Sequence, residues 1–273
     1  MNIEEKYEYV RKIDEGAFGE VYEGMQKYTK ESVAIKLSKK IDNQSVLINE
    51  VRVMLYFQKK KVPFPKIKAY GECSNNKDTN YLVMELLGPC LSYVNLHRER
   101  EIEKSNYMNL YVLDACRQIL RIFNILHTNK FVYQDVKPSN FVFGLGLQKD
   151  VVYLIDFGLV RKYKKRNGRM SDYAGTSTYM SIRQHDKLYT NYLDDLESLG
   201  YLFHYFCEGA LPWSTDDDLD VIAEKKKNFK SEYGNIESYM NIVRRYQMME
   251  EEEWNLKEIY SKLQRYISII DLF

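Results

Sequence analysis

Cysteine is scarce in this chain, with four in 273 residues. Cys73, Cys90, Cys116 and Cys207 lie 17, 26 and 91 residues apart, no C-x-x-C occurs, and no two histidines stand at ligand spacing. A disulfide framework and a zinc site are therefore not encoded, and the pattern predicts reduced, mostly buried thiols of an intracellular protein. With only 5 prolines and 13 glycines, collagen-like and low-complexity readings fall away. No apolar run approaches the roughly 18 residues of a membrane span. The opening Met1-Asn2-Ile3-Glu4-Glu5-Lys6 has no apolar stretch of the kind a signal peptide needs. An excess of charge is also missing: 40 Lys and Arg against 39 Asp and Glu leave a net +1. That balance argues against a nucleic-acid coat protein and against an acidic disordered tail. The expectation is a soluble monomer of the cytoplasm, the nucleus or both, with no nucleic-acid or membrane partner.

What is present is a large apolar fraction, 45% of the chain, enough for a sizeable core. Residues 9–15, 20–25 and 32–38 read as short strands, with turn-like breaks at Gly16, Gly19 and Gly24. Residues 44–60 change to helical spacing through Val46, Val51, Met54, Leu55 and Gln58, and Val62-Pro63-Phe64-Pro65 stops them. Strands at 66–72 and 80–86 follow, and Gly88-Pro89 marks a boundary. The remainder is largely helical. It opens with a long amphipathic helix over 106–128, then short strands near 141–143 and 151–155. A loop of about 25 residues comes next, long enough to suggest function, and residues 191–273 are helical. The expected architecture is α+β: a small β-rich lobe with one helix (1–87) and a larger, mostly helical lobe (88–273), with a cleft between them.

Chemistry enters through four segments. Gly16-Ala17-Phe18-Gly19 joins two strands, and such a turn lets backbone N–H groups approach an anion. Alone it is more often just a hairpin. In Val33-Ala34-Ile35-Lys36 a lysine sits in an apolar strand and needs an anionic partner, for which Glu50 and nucleotide phosphates are candidates. The bland reading is a strand-edge lysine in solvent. Tyr133-Gln134-Asp135-Val136-Lys137-Pro138-Ser139-Asn140 has D-x-x-x-x-N spacing, and Ile155-Asp156-Phe157-Gly158 follows an apolar strand. In this order the four form the protein-kinase signature set. Phosphoryl transfer needs charge neutralisation and positioning. Asp156 and Asn140 are the oxygen ligands expected for Mg²⁺, Asp135 the acceptor of the substrate hydroxyl proton, and Lys137 a contact to the γ-phosphate. Lys36 would hold the α- and β-phosphates of ATP, oriented by Glu50.

Longer stretches go further. Tyr81-Leu82-Val83-Met84-Glu85-Leu86-Leu87-Gly88-Pro89, Val152 through Tyr163, Gly175-Thr176-Ser177-Thr178-Tyr179-Met180-Ser181-Ile182, Asp194 through Tyr201, and Leu211-Pro212-Trp213 resemble the casein kinase I family over about residues 7–214. The resemblance implies a bilobal kinase fold, Ser/Thr specificity, and acidic or already phosphorylated substrates. By position it makes Met84 the residue at the back of the adenine pocket. Backbone groups of Glu85 and Leu87 would bind the adenine edge, Val21 and Ala34 would cover its face, and Asp195 would brace the catalytic loop. The chain departs from the family at Asp14, which replaces the first glycine of G-x-G-x-x-G, at Tyr133-Gln134 in place of His-Arg, and at Thr178 in place of an arginine. Asp14, Tyr133-Gln134 and an end at Phe273 short of the family's final core segment motivate a competing reading, a catalytically impaired kinase-like scaffold or nucleotide-dependent interaction module. A small-molecule phosphotransferase fits less well, because Gly175–Ile182 resembles protein kinases.

Two charge runs complete the picture. Arg161 through Arg169 carries six basic residues in nine, which reads as a substrate-anion contact, an autoinhibitory segment or solvated surface, with Arg183 as a partial substitute for the arginine missing at Thr178. Lys225-Lys226-Lys227 and Glu250 through Glu253 read as exposed runs, the latter in a distal helical region. His97, His127, His185 and His204 show no catalytic partner in sequence.

Overall fold

The computed structural model describes residues 3–16, 19–40, 47–60, 62–92 and 106–268. It divides into two compact units: residues 1–89 with 142–160, and residues 90–141 with 161–273.

In the first unit, five antiparallel strands, β1 (Tyr7–Gly16), β2 (Gly19–Gln26), β3 (Ser32–Lys39), β4 (Ile67–Cys73) and β5 (Asn76–Glu85), form one sheet in the order β1-β2-β3-β5-β4. A short helix α1 (Ile3–Lys6) precedes them, and α2 (Leu47–Gln58) lies between β3 and β4. The central strand β3 is buried on both faces over Val33–Lys36, so its Val33-Ala34-Ile35 run is continuously apolar rather than alternating. Side chains nevertheless alternate in direction. Val33 and Ile35 join Ile3, Tyr7, Tyr81 and Val83 in a cluster on one face. Ala34 and Lys36 therefore point to the other. Register carries this across the sheet, pairing Val21 with Lys36 and Ala34 with Met84. Val21, Ala34, Lys36 and Met84 thus share one face, set by a period of two and an unbroken register.

Helix α2 buries Leu47, Glu50, Val51, Val53, Met54 and Phe57 and ends ahead of Pro63. The expected helix began at 44; residues 44–46 lie outside the described residues, as do Ala17 and Phe18 of the glycine turn. Gly24 is not a turn. It sits inside β2 opposite Val33, because the hairpin reverses only at Gly16–Gly19. Further on, β6 (Phe131–Val132) belongs to the second unit, while β7 (Phe141–Phe143) pairs with β8 (Val152–Leu154).

The second unit is helical. It comprises α3 (Asn106–Thr128), α4 (Ile182–His185), α5 (Tyr192–Glu208), α6 (Leu219–Lys227), α7 (Gly234–Gln247) and α8 (Leu256–Ser268). Helix α5 is buried around nearly its whole circumference, which marks it as the central helix. It is capped by Asn191, whose side chain accepts from Leu193 N and Asp194 N. Helices α3 and α7 pack against it, and α8 packs against α3 and α7; Leu120, Phe123, Leu196, Leu199, Tyr239 and Leu263 on these helices are all fully buried. The expected long loop contains a two-residue strand, β9 (Arg161–Lys162), antiparallel to β6. Of the four free cysteines only Cys116 is buried; the other three are partly exposed. Among the described residues, no helix is long and apolar enough to cross a membrane.

Candidate active site

In the sheet-rich unit the strand lysine has the partner its apolar setting demanded. Lys36 Nζ lies 2.8 Å from Glu50 Oε2 and 3.2 Å from Asp156 Oδ1. Burial works against its charge, but the two carboxylates outweigh burial and hold its pKa above the ordinary lysine value. Burial also pushes Glu50 up; Lys36 opposes and Asp156 reinforces that shift. Two carboxylates thus share one ammonium, and Asp156 keeps a quarter of its side chain exposed.

The same helix holds the segment carrying Asp156. Glu50 Oε1 accepts from Phe157 N at 3.4 Å. Asn49 Nδ2 donates to Val160 O at 2.7 Å and Gly158 O at 3.2 Å. Phe157 is fully buried against Phe64, with ring centroids 4.5 Å apart. Asp156 takes a left-handed backbone, φ 59°, and its Oδ1 accepts from Gly158 N. Asn49 is a positioning residue that sequence reasoning missed; only its place beside Glu50 hinted at it.

At the hairpin, Gly19 has φ 129°, and a Cβ there would stand 1.9 Å from the Leu37 carbonyl oxygen. Only glycine closes this turn so near β3. Gly16, its register partner, has open space around it. Asp14 Oδ1 accepts from Glu15 N at 2.8 Å, so this carboxylate is engaged by its own strand. Glu85 N donates to Lys66 O at 2.9 Å, which leaves its carbonyl, rather than its N–H, as the group for the role expected at the adenine edge. Leu87 follows in the irregular stretch before Gly88, whose N donates to Phe143 O at 2.7 Å.

The helical unit gathers the second set. Asp135 Oδ2 is 2.8 Å from Lys137 Nζ, and its Oδ1 accepts from Thr176 Oγ1 at 2.7 Å. Asn140, in a single 3₁₀ turn started by Pro138, donates through Nδ2 to Asp135 O at 2.9 Å. The turn places Asn140 back against Asp135, which is why the D-x-x-x-x-N spacing works. Thr176 was visible in sequence only as part of a longer motif.

Beneath them, Asp195 on α5 accepts from Tyr133 N at 2.7 Å and Gln134 N at 2.8 Å. His127 Nε2 lies 3.0 Å from the same carboxylate, and Tyr260 Oη lies 2.7 Å from His127 Nδ1. His127, without an evident partner in sequence, therefore helps to brace the loop. Tyr133 is fully buried against Phe123. Gln134 has φ 76°, and its Oε1 accepts from Arg161 Nε at 2.8 Å and from Thr190. Its carbonyl accepts from Gln184 Nε2 at 2.9 Å, and Gly175, with φ 99°, lies so close that a Cβ would stand 2.4 Å from that oxygen.

Three surface readings change. Arg161 is not part of a free basic run: its guanidinium bonds Gln134 and Thr190, and burial lowers its pKa. The run also meets the acidic one, Tyr163 with Glu251 and Lys165 with Glu252, so Glu250–Glu253 is not remote from it. Arg183 does not stand in for Thr178. It lies 3.5 Å from Asp194 and donates to Tyr189 O. The largest change is Lys226, which is fully buried rather than solvated. Its Nζ is 2.7 Å from both Ser177 O and Met180 O and 3.0 Å from His185 Nε2. Tyr201 and Trp213 present their rings to it at 5.2 and 5.3 Å.

The chain has a counterpart among known families. The protein kinase domain model matches residues 7–266, and the chain belongs to that family. A Dictyostelium discoideum protein described as a "probable serine/threonine-protein kinase" is 35% identical over 236 residues, covering 84% of this chain. The chain spans 46% of that relative's length.

Proposed function

We propose that the protein is an ATP-dependent serine/threonine protein kinase. One observation carries the reading. Each unit holds a partnered, largely buried half of a phosphotransfer apparatus, with Asp156 and Lys137 each partly exposed: Lys36–Glu50–Asp156 in one, Asp135–Lys137–Asn140 in the other. Neither half has a purely structural rationale, since buried ion pairs contribute little net stability.

Lys36 would hold the α- and β-phosphates, with Glu50 fixing its direction. Gly16 and Gly19 would let the hairpin backbone approach the phosphates, Val21, Ala34 and Met84 would line the adenine, and Glu85 and Leu87 would bind its edge. Asp135 would accept the proton of a serine or threonine hydroxyl as its oxygen bonds to the γ-phosphorus and the bond to ADP breaks. Lys137 would offset charge on the transferred group.

The donor set fits Mg²⁺. Asp156 and Asn140 offer hard oxygens, and the two carboxylates around Lys36 exceed its single charge. Bound Mg²⁺ would neutralise phosphate charge.

The substrate preference proposed is that of casein kinase I, for acidic or phosphorylated protein segments. Its support is the exposed remainder of the basic run, Lys162, Lys164, Arg166 and Arg169.

Transfer of labelled phosphate to casein or an acidic phosphopeptide tests the proposal. Asp135→Asn should lower transfer by orders of magnitude while Mg-ATP still raises the melting temperature. Equal activity in that variant would remove Asp135 from the mechanism, and nucleotide binding without transfer in the wild type would favour the interaction module.

A further inference from the structure

Helix α2 carries more apolar residues than its buried face uses. Leu47, Val51, Val53, Met54 and Phe57 are buried, together with Glu50. Ile48, Leu55 and Tyr56 are also apolar, yet they stand in solvent, 48%, 38% and 43% exposed. Single exposed apolar side chains are ordinary, but these do not scatter. With exposed Arg52 they fall at i, i+4, i+7 and i+8, one stripe along the helix. Among the described residues, no other helix or strand has three large apolar side chains exposed to this degree.

The charge beside the stripe has one sign. Arg52 lies within it, and Lys59 and Lys60 are exposed in the turn that follows. Lys60 Nζ lies over the Tyr56 ring, 5.2 Å from its centroid. The one carboxylate of residues 47–60 is Glu50, which is buried and bonded to Lys36. Helical periodicity puts Glu50 on the side opposite the stripe. The outer face is therefore an apolar ridge with three cations and no anion of its own helix. A group seated there does not reach the Lys36–Glu50 contact.

Two kinds of surface suit apolar ridges edged with cations. An anionic membrane needs an apolar face buried about 5–10 Å deep. Here Arg52 interrupts the ridge, and the rest of α2 is committed to the core of its unit. A protein helix asks for less. Its own apolar residues at i, i+4 and i+7 lie along such a ridge, and carboxylates on its flanks meet the cations.

We propose that the outer face of α2 is a docking surface for an acidic amphipathic helix of a partner protein. The partner lies lengthwise over Ile48, Leu55 and Tyr56, with its carboxylates at Arg52, Lys59 and Lys60. The surface tethers the partner and needs no phosphotransfer, so it stands or falls apart from the kinase reading.

The test is selection of displayed peptides on the full chain, from a library of helices of about 16 residues, slightly longer than α2. Enriched sequences are then titrated as free synthetic helices. They should carry Leu, Ile or Phe at i, i+4 and i+7 with Asp or Glu on the flanks. Leu55→Glu should weaken their binding about tenfold, since it sets a charge at the centre of the ridge. Arg52→Glu should weaken it severalfold, and should recover binding when the acidic flanks of the same peptide are changed to lysine. Both variants should keep the wild-type melting temperature, as substitutions on an exposed face do. If Leu55→Glu fails to fold, Arg52→Glu and the charge-swapped peptide decide. An empty selection would overturn the proposal, as would basic rather than acidic sequences or peptides whose affinity the folded variants leave unchanged. Phosphatidylserine vesicles that bind the wild type and not Arg52→Glu would overturn it too, and would assign the face to lipid.

Discussion

Lys226 offers the sharpest test of the helical unit. Burial lowers its pKa from 10.5 to about 7, with Glu197 only partly opposing. The groups facing it from the elements packed around it are His185 on α4 and Glu197 and Tyr201 on α5. His185 is itself held down to about 4, by burial and then by Lys226, so it stays neutral near pH 7. The ammonium can donate to all three acceptors. The neutral amine keeps two donors for Ser177 O and Met180 O and accepts from His185 Nε2–H instead. Deprotonation therefore costs no hydrogen bond, whereas protonation brings a charge into the core. The drop to about 7 corresponds to a penalty on the charged form of about 5 kcal/mol. The unfolded chain keeps its proton up to 10.5 and the folded one loses it near 7, so stability rises with pH between those values. From pH 6 to pH 9 the gain is about 2–3 kcal/mol. Lys226→Met removes the titration and strips donors from two buried carbonyls, at about 1–3 kcal/mol each. The assay is guanidinium unfolding of both proteins at several pH values, compared at constant m. The wild type should gain on the variant by about 2–3 kcal/mol as pH rises from 6 to 9. Parallel curves across that range would refute the account of Lys226 as a lysine that gives up its proton near pH 7 when folded.

Two further outcomes follow from the geometry around the site. Asp195→Asn puts an amide where a carboxylate accepts from Tyr133 N, Gln134 N and His127, and should cost about 2–4 kcal/mol in stability with a fall in kcat, checked by unfolding and initial rates. Gly19→Ala drives a Cβ to 1.9 Å from the Leu37 carbonyl oxygen at φ 129°, and should raise the KM for ATP and lower the melting temperature, with the KM for peptide nearly unchanged.

What the sequence revealed is what depends on short range. The apolar setting of Lys36 in Val33-Ala34-Ile35-Lys36 and the D-x-x-x-x-N spacing are both local patterns; the fold puts Lys36 on the face away from Val33 and Ile35, and Asn140 in a 3₁₀ turn. What it hid depends on pairing across long separations. Lys226 looks like one of three lysines on a polar helix; only the carbonyls of Ser177 and Met180, nearly fifty residues earlier, take it inside. That the acidic Glu251–Glu252 and basic Tyr163–Lys165 stretches pair with each other is invisible in sequence because 87 residues separate Lys165 from Glu252. Tyr260 reaches the catalytic loop through His127 from a helix where the family resemblance had faded. In each case the local pattern is polar and ordinary, and tertiary packing decides the role.

Gln134 shows the same effect in the active site, where a substitution reads as a loss. In sequence it is an arginine that is missing. In the fold it is the acceptor that turns Arg161 inward, with Thr190 completing the contact. The cation is thereby used within the chain, and β9 is held to β6 by neutral groups and one enclosed guanidinium. Gln134→Ala leaves Arg161 Nε and the Thr190 hydroxyl without this acceptor, at a cost of about 2–4 kcal/mol. Because Gln134 N is anchored to Asp195, the loosening should reach Asp135 and lower kcat more than the KM for ATP. Gln134→Glu supplies an acceptor of opposite charge to Arg161 and should restore most of the stability. If Gln134→Ala leaves both stability and kcat unchanged, or if glutamate restores neither, the strand is held by something other than this contact. If the contact is what orders the strand, phosphatase treatment of the wild type should leave its kcat where it was, since no phosphate is needed to occupy the place that Gln134 and Arg161 fill together.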